Sequence, residues 1–493
     1  MAKLSPKRES VPLLAGLVLL ARGKVRDSYL LPDGKHILQV ATDGISIFDF
    51  VLNALVPMKG VILTALSVFW FKKLEEYGVR THLVAYGSAI DEYLPAELRS
   101  NPDLQSRALV VKKLEMANVE FVVRHCLTGS ALKPYRTTGM VCGHQIVSGL
   151  EDGDVLPCLL DTPTTKAEVG HDEHMNAAEI RAKYPDQTYT ALKVFQIAET
   201  YARSCGIVLA DTKFEFAADG TLADEVLTPD ASRYWSLPEW LRTRAKDGAR
   251  KAPTAYDKEF VRGFGVKHGI NLLKPENPDD VATAQALEIP NAVIKKTTDI
   301  YRYIFCRLTG ESIEDYLRLR MGVNAKRWPV AKVAIVCGSE SDLPAVQEAV
   351  RGILPQDAEI VVHVMSCHRN PKEVVAFAAN GCGGADAVIA VGGKALALPG
   401  IVDALVYAFG FDIPVIGVAL GEPGSNTLLA AQLSIEELPG APVIIDEFAE
   451  RAYEGADGLR DALDRIINGE LPPSSIRTEK PVQMRVWSNN PTR

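Results

Sequence analysis

The sequence has no run of basic residues, no paired-cysteine motif and no apolar segment long enough to cross a membrane. Lys and Arg are scattered and the formal net charge is -8, so a face for general nucleic-acid binding is not indicated. The eight cysteines form no CxxC pair, which argues against a zinc site or a disulfide framework and favours a reducing compartment. The absence of a G-x-x-x-x-G-K-S/T sequence makes a P-loop kinase an unfavoured alternative. We therefore expect a cytoplasmic protein that binds no nucleic acid.

One segment near the start, VPLLAGLVLL at residues 11 to 20, imitates a targeting signal. It is shorter than the roughly 20 apolar residues that a membrane-spanning helix needs. It also lacks an A-x-A-like cleavage site and continues directly into ARGKVRD. We interpret it as the first core element of the fold and expect no membrane partner.

The composition is typical of a globular enzyme, with 47% apolar and 24% charged residues and both signs of charge interspersed. At roughly 100 to 200 residues per domain, the length predicts two or three domains. Residues 18 to 43 alternate apolar and polar side chains around PDG, which predicts a β-hairpin. Residues 243 to 330 carry many charges, and VIKKTTDIYRYIFCRL has apolar residues at helical spacing, which predicts a helical closing segment and linker.

The remainder of the chain has a different period. Short apolar runs alternate with helical stretches such as PAVQEAV and GLRDALDRII, which predicts a doubly wound parallel sheet with helices on both faces. Ligands of such folds lie beyond the carboxyl ends of the strands, where the loops GSESD, SCHRNP and GGKALALPG fall. The predicted strands are VAIVCG (333 to 338), IVVHVM (360 to 365), AVIAVGG (387 to 393), PVIGVAL (414 to 420) and PVIID (442 to 446).

A first group of charged residues lies in LADTKFEF, at residues 209 to 216. On a strand, Asp211, Lys213 and Glu215 project to the same face. A second strand carrying Asp224 would complete an oxygen-rich site of the kind that magnesium prefers. The spacing leaves a second interpretation open, a solvated salt-bridge ladder with Lys213 between two acids. Lys24, in GKVRD, either holds phosphate at a hairpin start or lies on an ordinary exposed strand edge.

Seven motifs follow one another along the chain: GKVRD, ATDGISIFD, KGVILTALSVFWF, VEFVVRHCLTGS, TPTTKAEVGHDEH, ADTKFEF and DEVLTPDASR. In this order they resemble SAICAR synthetase, a ligase of purine biosynthesis, over about residues 18 to 265. The resemblance implies an α+β, ATP-grasp-like domain. It also implies that ATP phosphorylates the carboxylate of carboxyaminoimidazole ribonucleotide (CAIR) and that the amine of L-aspartate displaces the phosphate.

The same resemblance implies roles for residues at matching positions. ATP would contact Lys24, Lys166 and Glu168; magnesium would be held by Glu215 and Asp224, with Asp211 and Lys213 as catalytic groups beside it; and the ribotide would contact Glu120, Arg124, Ser130, Asp230 and Arg233. Two departures concern loop geometry. Ala217 stands where the family usually has glycine, and GHDEH is about a residue shorter than the expected motif.

A second group of polar residues follows the predicted strands of the carboxyl-terminal part. Ser339 and Ser341 precede a helix and can offer hydroxyls and amides to an anion, although a serine there is also an ordinary helix cap. His368 and Arg369 follow the next strand. A lone histidine is more often structural than catalytic, but His368 is placed to move a proton near neutral pH if these loops converge.

The three loops resemble AIR carboxylase and its relative, the carboxyaminoimidazole ribonucleotide mutase, over about residues 331 to 450. The resemblance implies a three-layer α/β, flavodoxin-like domain without an organic cofactor. It implies that Ser339, Asp342 and Arg369, with Ser341 beside them, hold the ribotide and that His368 transfers the proton at the ring carbon. The reaction would join carbon dioxide to aminoimidazole ribonucleotide (AIR) to give CAIR.

The third loop, AVGGKALALPG, combines features of both relatives. Lys394 takes the position of a cation in the animal carboxylase form, while LPG follows the mutase form and Ala397 replaces the mutase histidine. A cation in an apolar loop would stabilise the new carboxylate, which favours direct carboxylation. Lys394 could equally pair with an acid across a subunit contact or point to solvent. A mutase, or a non-catalytic ribotide-binding scaffold, remains an alternative for this domain.

The expected organisation is therefore a bifunctional enzyme in four parts. We expect a ligase domain at residues 1–265, a helical closing segment and linker at 266–330, a carboxylase domain at 331–470 and an extended tail at 471–493. The resemblance to AIR carboxylase also implies a homo-octamer built on the carboxyl-terminal domain.

Overall fold

The computed structural model describes residues 13–166, 173–245, 252–253, 255–323, 331–353, 358–438, 443–446, 449, 451–468 and 471. Glu168 and nearly all of the predicted tail lie outside these ranges. The strands are β1 Val18–Arg22, β2 Arg26–Leu30, β3 His36–Ala41, β4 Gly44–Ile47, β5 Phe50–Leu55, β6 Leu83–Tyr86, β7 Ala108–Lys112, β8 Val119–Cys126, β9 Met140–Val141, β10 His144–Gln145, β11 Val155–Asp161, β12 Thr164–Thr165, β13 Ile207–Phe216, β14 Leu222–Ala223, β15 Ser232–Ser236, β16 Ala331–Cys337, β17 Ala358–Val364, β18 Ala387–Gly392, β19 Val415–Ala419 and β20 Tyr453–Glu454.

The helices are longest where they cover the sheets. They are α1 Lys59–Glu76, α2 Pro102–Arg107, α3 Leu132–Thr138, α4 Ala177–Lys183, α5 Pro185–Ser204, α6 Leu237–Ala245, α7 Glu259–Lys267, α8 Pro278–Ala286, α9 Asn291–Thr309, α10 Ile313–Leu319, α11 Leu343–Ala349, α12 Pro371–Ala379, α13 Leu398–Ala408, α14 Asn426–Glu436 and α15 Gly455–Asn468. No helix in the described ranges is both long enough and apolar enough to span a bilayer.

Two large antiparallel sheets and two two-stranded sheets, β4-β5 and β9-β10, form the described amino-terminal part. The first has the order β1-β2-β3-β7-β6, and its β2–β3 pair confirms the hairpin predicted around PDG. The second has the order β11-β8-β13-β14, with β12 on β8 and β15 on β13. The alternation along β13 is as predicted: Phe214 and Phe216 are buried in the main hydrophobic core, so the charged residues between them face the other way.

The closing segment completes this core. Helix α9 confirms the predicted helical stretch, and its buried side chains pack in the same hydrophobic cluster as α1, α5 and β13. These side chains are Ile300, Tyr301, Tyr303, Ile304, Phe305, Cys306 and Leu308. Ile313, Tyr316 and Leu317 of α10 join the same cluster, so the helical segment is part of the amino-terminal fold in its packing.

The carboxyl-terminal part is a parallel sheet of order β17-β16-β18-β19-β20. Helices α12, α13 and α14 pack on one face and α11 and α15 on the other, which is a three-layer α/β arrangement. In strand numbers local to this sheet the order is 2-1-3-4-5, the flavodoxin-like order, in which the winding reverses between the first and third strands. That reversal lies between β16 and β18.

One strand was predicted at the wrong place. PVIID contributes an isolated bridge between Ile416 and Ile444 within the described residues, and the fifth strand is β20 instead. The reason is a local turn: the amide of Asp446 donates to the carbonyl of Arg451 at 3.0 Å, so the chain reverses before a ladder can extend. Apolar composition alone does not carry that information.

Candidate active sites

The first site is a cleft of about 520 Å³ on the charged face of β13. Its floor comes from β13 and β8, its sides from the β1–β2 hairpin and the loop between β14 and β15, and its rim from the start of α7. Of the residues predicted from the sequence, the cleft is lined by Lys24, Glu120, Arg124, Lys166, Asp211, Lys213, Glu215, Asp224, Asp230 and Arg233. Ser130 lies next to it, hydrogen-bonded to Arg124 at 2.9 Å.

Asp211 holds two arginines at one end of the cleft. Its register partners are Arg124 on β8 and Arg233 on β15, so strand pairing alone puts all three side by side. Arg124 donates to the Asp211 carboxylate, and Arg233 donates to the same oxygen at 2.6 Å. Arg124 also donates to Thr162 at 3.0 Å, which fixes the guanidinium from behind. Two adjacent guanidinium groups make this end suited to a phosphate or carboxylate.

Lys213 occupies the centre of the ladder. Its ammonium donates to Glu120 at 2.6 Å and lies 3.9 Å from Glu215. Burial alone would lower the pKa of Lys213, but the charges of Glu120 and Glu215 outweigh burial and raise it, so the side chain stays a cation. The salt-bridge ladder considered from the sequence is thus present, but it lines a cleft. Lys213 pairs with Glu120 in it and not with Asp211.

Glu215 and Asp224 form the acidic end of the cleft. The register pairs Glu215 with Ala223, which brings Asp224 beside it, and Asp224 adopts a left-handed φ of 57°. Glu215 accepts from Lys166, and Asp224 accepts from Arg26. Burial and the neighbouring Asp224 raise the pKa of Glu215.

Glu215 and Asp224 offer the oxygen ligands that magnesium prefers. The described residues contain no group of three or more His, Cys, Asp and Glu arranged to hold a metal ion. Magnesium, however, is usually bound by one or two carboxylates together with substrate phosphates and water. Glu215 and Asp224 are adjacent carboxylates in a phosphate-sized cleft and fit that pattern; burial and Asp224 raise the pKa of Glu215, whereas the charges of Arg26 and Lys213 outweigh burial and lower the pKa of Asp224 to about 2.

The hairpin side of the cleft carries Lys24, which contacts Asp49 at 2.6 Å and is 40% exposed. The turn is tight: the amide of Gly23 donates to the carbonyl of Arg26 at 2.8 Å, and a β-carbon on Gly23 would lie 2.9 Å from that oxygen. The close approach explains why glycine precedes Lys24. The Lys24 ammonium thus lies at the mouth of the cleft, partly exposed and paired with Asp49.

Sequence reasoning missed several charged residues of the cleft. Arg26 has a usable signal, because it belongs to the same GKVRD motif as Lys24. Lys258, Glu259 and Arg262 come from the start of α7 and carry no local motif. Burial lowers the pKa of Lys258 to about 8.

The second site lies at the carboxyl ends of β16, β17 and β18. Ser339 and Asp342 form a capping box, with the Ser339 amide donating to Asp342 at 2.9 Å, so the capping alternative is present in the structure. Ser341 and Ser339 are joined through their hydroxyls at 3.1 Å. Burial raises the pKa of the Asp342 carboxyl. These groups present backbone amides and hydroxyls at the sheet edge where ligands of this fold bind.

His368 and Arg369 follow β17 at the same edge, and both side chains are exposed. Their amides donate to the Ser366 hydroxyl at 3.3 and 3.4 Å, which shapes the loop, and the Arg369 guanidinium donates to the carbonyl of Gly338 in the neighbouring loop. The predicted convergence of these two loops is therefore present.

Lys394 follows β18 with a left-handed φ of 61° and an exposed side chain. A β-carbon on the preceding Gly393 would lie 2.8 Å from the carbonyl of Leu420, so the loop is pressed against the end of β19. Within the described ranges Lys394 makes no ion pair. A positive φ at a non-glycine residue is a strained conformation of the kind that clusters at ligand sites.

Comparison with known families assigns the two parts of the chain separately. The model of the SAICAR synthetase family matches residues 19–271, and the model of the AIR carboxylase family matches residues 332–456. The first match covers half of the chain and includes every predicted residue of the first cleft. The second includes the three loops at the sheet edge.

Relatives and a solved structure agree with the first match. The phosphoribosylaminoimidazole-succinocarboxamide synthase of Neisseria meningitidis serogroup B is 40% identical over 313 residues, which are 60% of this chain and 99% of the relative. The synthase of the same name from Thioalkalivibrio sulfidiphilus is 40% identical over 319 residues, 61% of this chain and 97% of the relative. The SAICAR synthase of Saccharomyces cerevisiae, solved in complex with SAICAR, has a TM-score of 0.52 and 35% identity and covers 61% of this chain and 98% of that structure.

Proposed function

The chain belongs to the SAICAR synthetase family, and on that premise we propose that the cleft on β13 binds CAIR, ATP and L-aspartate. The chain joins two consecutive steps of purine biosynthesis. The carboxyl-terminal part converts AIR and carbon dioxide to CAIR, and the amino-terminal part condenses CAIR with aspartate at the expense of ATP. The product of the second domain is thus the substrate of the first.

The division of charge along β13 carries the assignment. Arg124 and Arg233, held by Asp211, form a cationic end that suits the ribotide phosphate. Glu215 and Asp224 form an acidic end that suits a divalent cation on the ATP phosphates. Lys213 lies between the two ends, held by Glu120, where the reacting groups would meet.

Magnesium would be held by Glu215 and Asp224 and would neutralise charge on the phosphates of ATP. The chain's own cations act on the same charge. The CAIR carboxylate attacks the γ-phosphorus with ADP leaving, and the aspartate amine then attacks the acyl carbon and expels phosphate. Lys213 is fixed in the cleft before substrate arrives, so it stabilises the developing charge without reorganising. Lys24 and Lys166 line the same cleft, which supports their assignment to the nucleotide phosphates.

In the carboxyl-terminal site we assign the proton transfer at the ring carbon to His368. Ser339, Ser341, Asp342 and Arg369 would hold the ribotide at the edge of β16 and β17. An exposed imidazole is free to take the ring proton after carbon dioxide has added. No organic cofactor is required by this chemistry.

Replacement of His368 by Asn is expected to lower AIR carboxylation by about 100-fold or more, because general acid–base groups contribute factors of that size. The SAICAR synthetase rate, measured separately from added CAIR, should stay at the wild-type value. His363→Asn is the matched control, since His363 lies on β17 against Phe377 and away from the loops. Unchanged carboxylation in His368→Asn would instead support a non-catalytic ribotide-binding scaffold.

Lys394→Met is expected to reduce the rate of carboxylation by about 100-fold while changing AIR affinity much less, as for a group that acts on charge formed during the reaction. Rate and binding are measured on the same preparation. Lys332→Met is a matched control. Lys332 lies near Glu359 at the amino-terminal ends of β16 and β17, away from the loops of the site. Equal losses in rate and affinity would make Lys394 a binding residue only.

A single assay tests the function as a whole. AIR, bicarbonate, ATP, aspartate and magnesium are supplied, and CAIR and SAICAR are followed separately. Formation of CAIR directly from bicarbonate is expected. CAIR that forms only from the carbamate isomer of the ribotide would mark the second domain as a mutase.

We also propose a cytoplasmic homo-octamer assembled through the carboxyl-terminal part. Supporting this, the edge strand β17 exposes Val361, Val362 and Val364 by 46%, 40% and 43%, and apolar edge strands tend to be covered by another chain. A monomer in sedimentation equilibrium would contradict the assembly.

We also propose that the ligase unit ends at residue 323, which is the last described core residue of the closing segment.

A further inference from the structure

Asp230 lies in the loop between β14 and β15, and two buried side chains contact its carboxylate. Tyr301 of α9 donates its hydroxyl to one carboxylate oxygen of Asp230. Lys59, the first residue of α1, places its ammonium 2.8 Å from the other oxygen. Tyr301 and Lys59 are both fully buried, whereas Asp230 lines the cleft. The contact therefore joins two core helices to the wall of the site.

The chemistry of this group is unusual for a hydrophobic core. The Lys59 ammonium is buried, makes no aligned hydrogen bond within the described residues and contacts Asp230 as an ion pair, with the Tyr301 ring 5.9 Å away. Burial would raise the pKa of Asp230, but Lys59, Lys258 and the Tyr301 hydroxyl lower it, so the carboxylate is charged. Buried pairs of this kind add little to stability compared with apolar residues, and specificity is one reason to retain them.

The loop that carries Asp230 also sets the cationic end of the cleft. The carbonyl of Ala231 accepts from the amide of Lys213 at 3.1 Å, and Arg233 follows two positions later to reach Asp211 at 2.6 Å. A change in the orientation of Asp230 would therefore alter the position of the start of β15. On the ATP side of the cleft, Lys24 comes from the β1–β2 hairpin, and Asp224 lies at the opposite end of the β14–β15 loop, next to Ala223, which pairs with Glu215.

We infer that Tyr301 and Lys59 are positioning residues that orient the Asp230 carboxylate for the ribotide, an inference that rests on the proposed assignment of this cleft. Helix α9 lies beyond the region matched by the family model, so the closing segment contributes to the site as well as to the core. Both residues act through Asp230, and neither lines the cleft itself within the described residues.

The test is Tyr301→Phe in the full chain, which removes one hydroxyl and keeps the ring. We expect the KM for CAIR to rise about 10-fold, the size of effect of a lost hydrogen bond to a charged group, with the KM for ATP changing less than about twofold. Tyr201→Phe is the matched control, because its hydroxyl donates to the carbonyl of Leu308 in the same helix at 2.8 Å and away from the cleft. A purely structural role of Tyr301 would change both KM values, or would give the same result in the control, and either outcome overturns the inference.

A double-mutant cycle with Asp230→Asn tests the route of the effect. If Tyr301 acts through Asp230, Tyr301→Phe changes CAIR affinity far less on the Asp230→Asn background than on the wild type. Additive effects overturn the inference. CAIR affinity is measured by calorimetry without ATP, so the cycle gives a result whether or not the chain turns over. Failure of the proposed function appears differently, as absence of SAICAR formation by the unmodified chain.

Discussion

A chain ending at residue 265 is expected to lose the fold of the ligase unit, whereas a chain ending at residue 323 is expected to keep it. Six side chains of α9 pack fully or almost fully buried against α1, α5 and the sheet: Ile300, Tyr301, Tyr303, Ile304, Phe305 and Leu308. Removing them would expose the apolar faces that they cover. The shorter chain would also lose the Tyr301 contact to Asp230.

The size of the effect follows from burial. A fully buried large apolar side chain contributes roughly 1.5 to 3 kcal/mol. Six of them contribute about 9 to 18 kcal/mol as an upper value, which is comparable with the entire free energy of unfolding of about 5 to 15 kcal/mol for a typical domain. No single substitution elsewhere in the core approaches this loss.

The measurement compares the two truncated chains directly. Circular dichroism and gel filtration report folding, and SAICAR formation from added CAIR reports the site. The longer chain serves as the control for removal of the carboxyl-terminal part. A folded, active chain of 265 residues would show that the helical segment is only a linker.

The predicted side of β13 was correct because strand alternation is a geometric property of the backbone. Asp211, Lys213 and Glu215 face one way wherever a strand forms, and the apolar residues between them face the core. The carboxyl-terminal loops were likewise predicted together, since parallel strands end at one edge. In both places the local sequence was sufficient for the prediction. The orientation of side chains depends only on the strand that carries them, and the grouping of the loops depends only on the sheet being parallel.

Other features depend on contacts between distant segments. Lys59 is the first residue of an apolar helix in the sequence, and nothing nearby indicates that Asp230 and Tyr301 surround it. The misplaced fifth strand has a different origin: Asp446 bridges to Arg451 only five residues later, and the apolar composition of the preceding run does not indicate this turn. Apolar runs and helix starts are local signals, and they do not specify their partners.

Glu215→Gln and Asp224→Asn are each expected to lower SAICAR synthesis by about 100-fold or more, since a metal on transferring phosphates contributes several kcal/mol. Each substitution removes one negative charge and keeps the size of the side chain. Each also removes one ion pair: Lys166 loses its contact with Glu215 in the first case, and Arg26 loses Asp224 but keeps Glu225 at 3.6 Å in the second. Because one metal ligand is lost, the residual rate should require a higher magnesium concentration. AIR carboxylation should be unaffected, because its site lies on another sheet.

Three readings separate a metal site from an ion-pair network. The rate is titrated with magnesium, ATP affinity is measured with and without magnesium, and carboxylation reports that the chain is intact. Asp219→Asn is the matched control, an acid in the turn between β13 and β14 that accepts from the amide of Thr221 at 2.9 Å outside the cleft. A purely structural ion pair predicts loss of stability without a change in magnesium dependence. Wild-type magnesium titration curves in Glu215→Gln and Asp224→Asn would place the metal elsewhere, because neutralising a ligand must weaken the binding of a cation that it holds.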